Sequence, residues 1–331
     1  MENLINIAVV GVGYLGRFHA QKYKAIEGVN LIGVVDVNEN RAENVAEELN
    51  CDYYTDFSEI IDKADAVSLV VPTSNHYEIA RELISTGIHC LIEKPITTTV
   101  EQAEELIQLA NKNNVLIQVG HIERFNPAIE YLYKNINFPL FIEAHRISGF
   151  KERGIDVDVI LDLMIHDIDI TLSLVNSPIL EIRASGAPVV TDNIDIANAR
   201  IMFENGCTAN LTASRISLDP IRRFRVFQPS LYVSADCAKR ENLVVRTMET
   251  EDPSALYNLP FSSITPEVIK HDGKDQLETE IRSFIRSIKG QEKVMVDGEA
   301  GKEALRIAFE ISSQISENIK KAYFFNSNKK G

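Results

Sequence analysis

The sequence predicts an α/β Rossmann domain with a parallel sheet, followed by an α+β domain with a large, mainly antiparallel open-faced sheet. Three observations predict this. Residues 1–120 alternate short apolar runs with helical patterns, the rhythm of βαβ units. After Gly120, apolar and polar residues alternate singly over long stretches, two of which flank an Asn205-Gly206 turn. Helical spacing returns near the C-terminus. At 331 residues the chain is long enough for two domains. The expected boundaries are 1–121 for the first domain and 122–298 for the second, with a helix over about 299–322 packing back on the first.

The elements follow in order. Ile5 to Val10 reads as a buried strand, and a helix follows from about Tyr14 to Ile26, stopped by Gly28. Leu31 to Val35 is a second strand, ending at Asp36. Ala66 to Val71 is closed by Pro72, and Ile88 to Ile92 is next. Thr99 is placed to cap a helix over Val100 to Asn113, with Gln102 completing a capping box. Val115 to Val119 returns to strand. In the second half, Ile194 to Phe203 and Cys207 to Ser214 form a hairpin, because Asn-Gly readily adopts positive φ. Thr208, Asn210 and Thr212 alternate with Ala209, Leu211 and Ala213, so one sheet face is polar and only the other is covered by helices. Arg222 to Phe227, Leu231 to Ala235 and Leu243 to Arg246 read as further strands. Leu277, Ile281, Phe284, Ile285 and Ile288 mark a helix over Gln276 to Lys289.

Hydrophobic residues make up 45% and charged residues 25%, an ordinary globular balance. The net charge of -14 disfavours nucleic acid or an anionic membrane as the main partner. Cys51, Cys90, Cys207 and Cys237 form no CxxC pair and sit in apolar stretches, which points to reduced thiols and no metal site. Met1-Glu2-Asn3 carries no basic n-region, and every long apolar stretch is interrupted by charge. A cytoplasmic protein without membrane insertion is expected.

Gly11-Val12-Gly13-Tyr14-Leu15-Gly16 is a GxGxxG pattern. It follows a strand, opens a helix and precedes a second strand ending in an acid, the context in which it signals a dinucleotide site. Gly11 permits the tight turn, Gly13 lets the backbone approach the diphosphate, and Gly16 allows close helix–strand packing. The helix N-terminus offers N–H groups to the phosphates. Asp36 is placed to accept the adenosine ribose hydroxyls and to repel a 2′-phosphate, so NAD is expected. Asn38 and Arg41 lie nearby, and an arginine there is the feature that could admit NADP. Pro72, Thr73, Asn75 and His76 close the next strand at the ligand-binding edge of the sheet; the alternative for His76 is a helix-start residue touching only solvent.

Glu93-Lys94-Pro95 ends the apolar run before it, so Lys94 directs an amine beyond the sheet edge, where a nicotinamide ring would lie. Further on, Asp162 and His166 stand four apart, on one face if the segment is helical, with Leu161, Met164, Ile165, Ile168 and Leu172 beside them. An acid and an imidazole amid apolar groups are costly unless paired or used. The alternative is a helix with a satisfied histidine and several surface aspartates.

Taken in order, GVGYLG, the strand-end acid, VPTSNH, EKP, VGHIERFNP and the Asp-x-x-x-His segment resemble the Gfo/Idh/MocA oxidoreductases. The resemblance implies an NAD-dependent dehydrogenase of sugars, cyclitols or sugar nucleotides. It also implies a homodimer or homotetramer formed through the C-terminal sheet. By resemblance, Lys94, Asp162 and His166 map onto catalytic residues. His121, Arg124, Phe125, Arg153 and Arg225 become candidate substrate contacts, with Phe125 and Tyr14 serving as core or pocket wall. Lys151, Arg222 and Arg223 are further candidates for a diphosphate. A narrower resemblance, in the run from Asp156 to Asp169, in Gly120 to Pro127 and in Arg225-Val226-Phe227-Gln228-Pro229, is to a bacterial subgroup acting at C3 of UDP-N-acetylglucosamine for lipid A synthesis. There the 3-keto product passes to a PLP-dependent aminotransferase. Many members of the broader family carry a glycine-rich stretch where this chain has Asp156-Val157-Asp158-Val159. Three other functions remain open at this point: a free-sugar or cyclitol dehydrogenase, an NAD-dependent glycosidase, and a non-enzymatic NAD-binding regulator.

Overall fold

The computed structural model describes residues 4–150, 157–247, 266–273 and 275–327. By internal contacts the chain divides into Met1–Ile122 with Lys274–Leu305, and Glu123–Gly273 with Arg306–Gly331.

The first unit holds β1 (Ile5–Val10), α1 (Tyr14–Ala25), β2 (Val29–Val35), α2 (Glu39–Leu49), β3 (Asp52–Tyr54), β4 (Ala66–Leu69), α3 (His76–Ser85), β5 (His89–Glu93), α4 (Val100–Asn113) and β6 (Ile117–Gly120). The six strands run parallel in the order β3-β2-β1-β4-β5-β6. The order turns outward on either side of β1 and β4, and such switch points open ligand crevices at the carboxyl ends of strands. The buried run Ile7–Val10 of β1 is apolar on both faces, and so is β4 apart from Ser68, as expected for strands covered by helices on both sides. Thr99 caps α4 by accepting the Gln102 N–H at 3.2 Å. The reciprocal half of the expected capping box is not made: the Gln102 side chain accepts from the Thr98 hydroxyl at 2.8 Å instead.

In the second unit α5 (Pro127–Asn135) and α6 (Ile165–Val175) accompany eight strands: β7 (Phe141–Ile147), β8 (Ile179–Ala187), β9 (Ile196–Phe203), β10 (Thr208–Ser214), β11 (Ile221–Gln228), β12 (Leu231–Asp236), β13 (Glu241–Arg246) and β14 (Glu267–Lys270). Their order is β14-β13-β12-β11-β7-β10-β9-β8, antiparallel except for the β7–β10 pair. In the β9–β10 turn Gly206 takes the positive φ of 88°. Along β7, Ile142, Ala144 and Arg146 are buried and alternate with less buried neighbours. The buried face is the one α6 covers, since Arg146 bonds Asp167 of that helix. On the opposite face Glu143 pairs with Arg225, and Phe141, Phe227 and Tyr232 stack with centroids 5.6 and 4.7 Å apart.

The last helices divide differently from the expected boundary. α7 (Gln276–Ile288) belongs to the first unit, where Leu277, Ile281, Phe284 and Ile285 join a core with Ala20 and Tyr23 of α1. α8 (Gly298–Ser327) begins there, with Gly301 so close to Val119 that a Cβ would meet it at 2.6 Å. From Arg306 onward α8 belongs to the second unit: Gln314 accepts the Ala184 N–H, and Ser312 bonds Asp158. The physical reason is a buried stripe that continues past the first two turns, through Ile307, Ala308, Ile311 and Ile315. The 299–322 segment therefore does not pack as a whole on the first unit.

The four cysteines are free thiols. Among the described residues no helix is long and apolar enough to cross a membrane.

Candidate active site

At the carboxyl end of β1 the backbone makes the turn that only glycine tolerates. Gly11 has φ 87°, and a Cβ there would lie 2.4 Å from the Val70 carbonyl oxygen. Gly16 lies so close to the turn that a Cβ would meet the Gly11 carbonyl oxygen at 1.8 Å. Around Gly13, by contrast, a Cβ would meet nothing within 4 Å, so the backbone is open to an approaching ligand. α1 starts there with no side-chain cap and no acid in its first turn, which leaves its N–H groups and dipole for an anion. Asp36, just past β2, is held by the Val12 N–H at 3.0 Å, the Asn38 N–H at 2.9 Å and Arg41 at 3.2 Å. Beside it an open pocket of 980 Å³ runs from Gly13 and Arg17 to Asn38, Arg41 and Asn44, with the exposed ring of Tyr14 edge-on to Phe18. These features fit a dinucleotide: an anion-ready helix end, a backbone open to close approach, and a carboxylate at the ribose position.

Beyond β4, Pro72 leads into a short helical turn, Thr73–Asn75, and α3 begins at His76. His76 does not touch solvent. It is 1% exposed, and its ring nitrogens lie 2.9 Å from the Pro95 carbonyl and 3.0 Å from the Val71 carbonyl. Burial lowers its pKa, with the carbonyls opposing that shift. The ring thus braces the end of β4 against the loop that follows β5. At the end of β5, Glu93 accepts the Lys94 N–H at 3.3 Å, and Lys94 precedes a cis proline with its side chain half-buried.

In the second unit a π-helical turn, Ile160–Met164, leads into α6. Asp162 lies on that turn and His166 in the first turn of α6, both half-buried. Such i→i+5 turns recur at functional sites. Asp158 starts the segment by accepting the Leu161 N–H at 2.8 Å. The neighbouring acids are not surface groups. Asp167 is 3% exposed and paired with Arg146; Asp169 is 1% exposed and receives a bidentate bond from Arg124, at 2.6 and 2.7 Å. Burial raises the Asp167 pKa, an effect the Arg146 guanidinium opposes. Arg146 also donates to Glu123 at 2.8 Å, so one cation ties α6 to the short helical turn Ile122–Phe125.

The expected substrate contacts are distributed accordingly. Arg124 is committed to Asp169 inside the fold, and Phe125 is 2% exposed, in the core. His121 is 1% exposed. Arg225 lies on the open face of the sheet, paired with Glu143 directly across from it, with the sheet between it and α6. Arg222, one step out of phase, is on the α6 side, half exposed and 3.7 Å from Glu123. Arg153 and Lys151 lie outside the described residues. Reading the sequence singly could not separate Arg222 from Arg225; the alternation of β11, with Phe224 and Val226 buried, is the signal that does.

Comparison with known proteins bears on both units. A family model described as an oxidoreductase family with an NAD-binding Rossmann fold matches residues 5–121, and one described as a GFO/IDH/MocA C-terminal domain matches residues 143–228. A UDP-N-acetylglucosamine 3-dehydrogenase of Acidithiobacillus ferrooxidans is 40% identical over 304 residues, 92% of this chain and 95% of that one. Its solved structure superposes with a TM-score of 0.86 at 38% identity, covering 94% of this chain and 97% of that one. A myo-inositol 2-dehydrogenase of Thermotoga maritima is 26% identical, over 95% of this chain and 97% of its own. A scyllo-inositol dehydrogenase of Lactobacillus casei, solved with NAD(H) and scyllo-inositol, shares the fold at a TM-score of 0.77 and 21% identity, over 95% of this chain and 98% of that one.

Proposed function

We propose that this chain, which belongs to the Gfo/Idh/MocA oxidoreductase family, oxidises a secondary hydroxyl of a sugar nucleotide, at C3 of UDP-N-acetylglucosamine, with NAD as cofactor. The observation that carries the substrate is the full-length similarity to a UDP-N-acetylglucosamine 3-dehydrogenase, far above the similarity to the inositol dehydrogenase. A role in lipid A or related glycan precursor synthesis belongs to the same proposal.

The cofactor is held by Gly11, Gly13 and Gly16, by the first N–H groups of α1, and by Asp36. Tyr14, Leu15, Pro72, Thr73, Asn75 and Glu93 are assigned to its surroundings. His76 acts there as a brace under the loop, since both its ring nitrogens face backbone carbonyls. When bound, NAD supplies the hydride acceptor. His166 takes the hydroxyl proton, a positioned transfer contributing about 10²–10⁴-fold. Lys94 holds the substrate oxygen and the cofactor ribose, and Asp162 orients His166 or accepts a sugar hydroxyl. Arg222, on the helix-covered face of its sheet, is the cation assigned to the diphosphate, with His121 and Arg153 as further contacts. The open face, with its aromatic trio, makes the contacts between copies in a homodimer or homotetramer.

The test is a substrate panel with NAD, followed at the reduced-nicotinamide band. UDP-N-acetylglucosamine is expected to be turned over well above free N-acetylglucosamine or myo-inositol. Faster turnover of a free sugar or cyclitol overturns the sugar-nucleotide assignment. Release of an aglycone without net NADH identifies a glycosidase, and NAD binding without turnover a regulator. Lys94→Ala and His166→Ala are expected to lower turnover and leave NAD affinity nearly intact; unchanged turnover in both removes the assigned chemistry.

A further inference from the structure

The turn that carries Asp162 is not one its local sequence favours. A π-helical turn is wider than an α-helical one and rare. Here it opens on Val159-Ile160, β-branched residues of poor helix propensity, and Val159 provides no side-chain cap. The hold on this turn has to come from elsewhere in the second unit, and three successive residues supply it.

Val157, Asp158 and Val159 are each tied to a different partner. The Val157 carbonyl accepts from the Arg215 Nη2 at 2.6 Å, just past the end of β10. The Val159 N–H donates to the Ile194 carbonyl at 2.9 Å, just before β9. Between them Asp158 uses both carboxyl oxygens. Its Oδ1 accepts the Leu161 N–H at 2.8 Å, inside the turn, and its Oδ2 accepts the Ser312 hydroxyl at 2.6 Å, on α8. The Asp158 backbone carbonyl takes the Asp162 N–H at 3.1 Å. One residue therefore satisfies two of the N–H groups that a helix start leaves open. It joins them to a helix 154 residues further along the chain. A carboxylate in this place also faces the positive end of the helix dipole.

The two outer anchors belong to one cross-linked block. Asp195 is fully buried, and its Oδ2 accepts the N–H groups of Val189, Val190 and Thr191 at 2.8, 2.7 and 2.9 Å. Its Oδ1 accepts the Thr191 hydroxyl at 2.7 Å and stands 3.8 Å from the Arg215 Nε. Its backbone carbonyl accepts the Arg215 N–H at 3.0 Å. This block grips the backbone of Val157 and Val159, at the entrance to the turn. Asp158 is the anchor whose side chain reaches into the turn itself.

We propose that Asp158 is a positioning residue: by bridging the Leu161 N–H and Ser312 of α8 it holds the π-helical turn in place, and so sets where Asp162 and, one turn on, His166 present their side chains. No bond is made or broken, and no proton moves. The inference rests on the reading of Asp162 and His166 as site residues.

Amide hydrogen exchange read at single residues of the NAD-bound enzyme, together with kinetics on UDP-N-acetylglucosamine, tests it. Asp158→Ala is expected to speed exchange of the Leu161 and Asp162 amides at least about tenfold. It is also expected to lower kcat about tenfold or more and to leave the Kd for NAD unchanged, since a small misplacement of a reacting group costs up to about 100-fold. Asp158→Asn keeps an acceptor for the Leu161 N–H and offers a donor to the Ser312 oxygen, so it is expected to recover kcat to within about threefold of wild type. Wild-type exchange in Asp158→Ala overturns the hold on the turn. A folded Asp158→Ala with wild-type kcat and a lower unfolding midpoint reduces Asp158 to a structural cap and overturns the positioning role. Should Asp158→Ala not fold, Ser312→Ala decides, because it removes the anchor on α8 alone. Faster exchange at Leu161 with kcat down about threefold is expected there, and wild-type values of both overturn the proposal. If the wild type makes no sugar-dependent NADH, the proposed function fails, and exchange at Leu161 still decides whether Asp158 holds the turn.

Discussion

Arg146→Met removes the one cation that serves two buried carboxylates. Its guanidinium donates to Asp167 at 2.8 and 3.1 Å and to Glu123 at 2.8 Å, and the three side chains are 4, 5 and 8% exposed. Methionine fills much of the space and supplies no charge, so Asp167 loses its bidentate partner and Glu123 keeps only the more distant Arg222, 3.7 Å away. Breaking a buried ion pair from one side costs about 3–5 kcal/mol. At about 2–4 °C per kcal/mol for a domain of this size, the unfolding midpoint is expected to fall by about 6–20 °C. Thermal unfolding by circular dichroism, with urea unfolding at constant m-value as a check, measures it. The deficit shrinks as pH falls. Burial already raises the Asp167 carboxyl, and without Arg146 to oppose it the folded pKa stays above the unfolded value, so stability is present at low pH and lost as pH rises through the folded pKa. Adding Glu123→Gln and Asp167→Asn is expected to recover at least half the loss, since no buried charge remains. Because Asp167 adjoins His166, kcat falls in the single variant as well. A single variant within about 1 kcal/mol of wild type refutes the reasoning, because the network would then be worth no more than a surface ion pair.

Three further outcomes follow from the geometry. Asp36→Ala releases Arg41, now 3.2 Å from the carboxylate, and is expected to weaken NAD binding while narrowing the preference over NADP; an unchanged ratio of the two dissociation constants contradicts the role of Asp36. Gly16→Ala drives a Cβ into the Gly11 carbonyl at 1.8 Å, so NAD affinity by calorimetry is expected to drop at least about tenfold, and wild-type affinity would show that the turn has room. Asp195, whose burial is outweighed by backbone N–H bonds from Val189, Thr191 and Val190, has its pKa lowered from 3.8 to about 2. A depressed carboxyl contributes stability that is present above the unfolded pKa and lost as pH falls through the folded one, so the urea midpoint of Asp195→Asn is expected to depend less on pH than wild type between about pH 5 and 3; parallel slopes contradict it.

Much of the first unit was legible in the sequence, because its signals are local. The strand Ile5–Val10 and the helix Val100–Asn113 have the expected bounds, and GxGxxG with Asp36 lies where the turn and β2 place it. What was not legible depends on tertiary burial. His76 follows a loop that reads as ligand-facing, and its ring lies between two carbonyls that come together only in the fold. Arg124 and Asp169 are 45 residues apart, so nothing local pairs them. Arg225 and Arg222 are separated by strand phase, and the buried Phe224 and Val226 reveal which face each takes.

The central claim is hydride removal from C3 of a UDP-linked amino sugar. It is tested most directly with UDP-N-acetylglucosamine carrying deuterium at C3. The account predicts that the label appears on the nicotinamide ring of the reduced cofactor and that turnover slows when the bond to deuterium breaks. Reduced cofactor without the label, or no reduction of NAD by this sugar nucleotide at all, contradicts it.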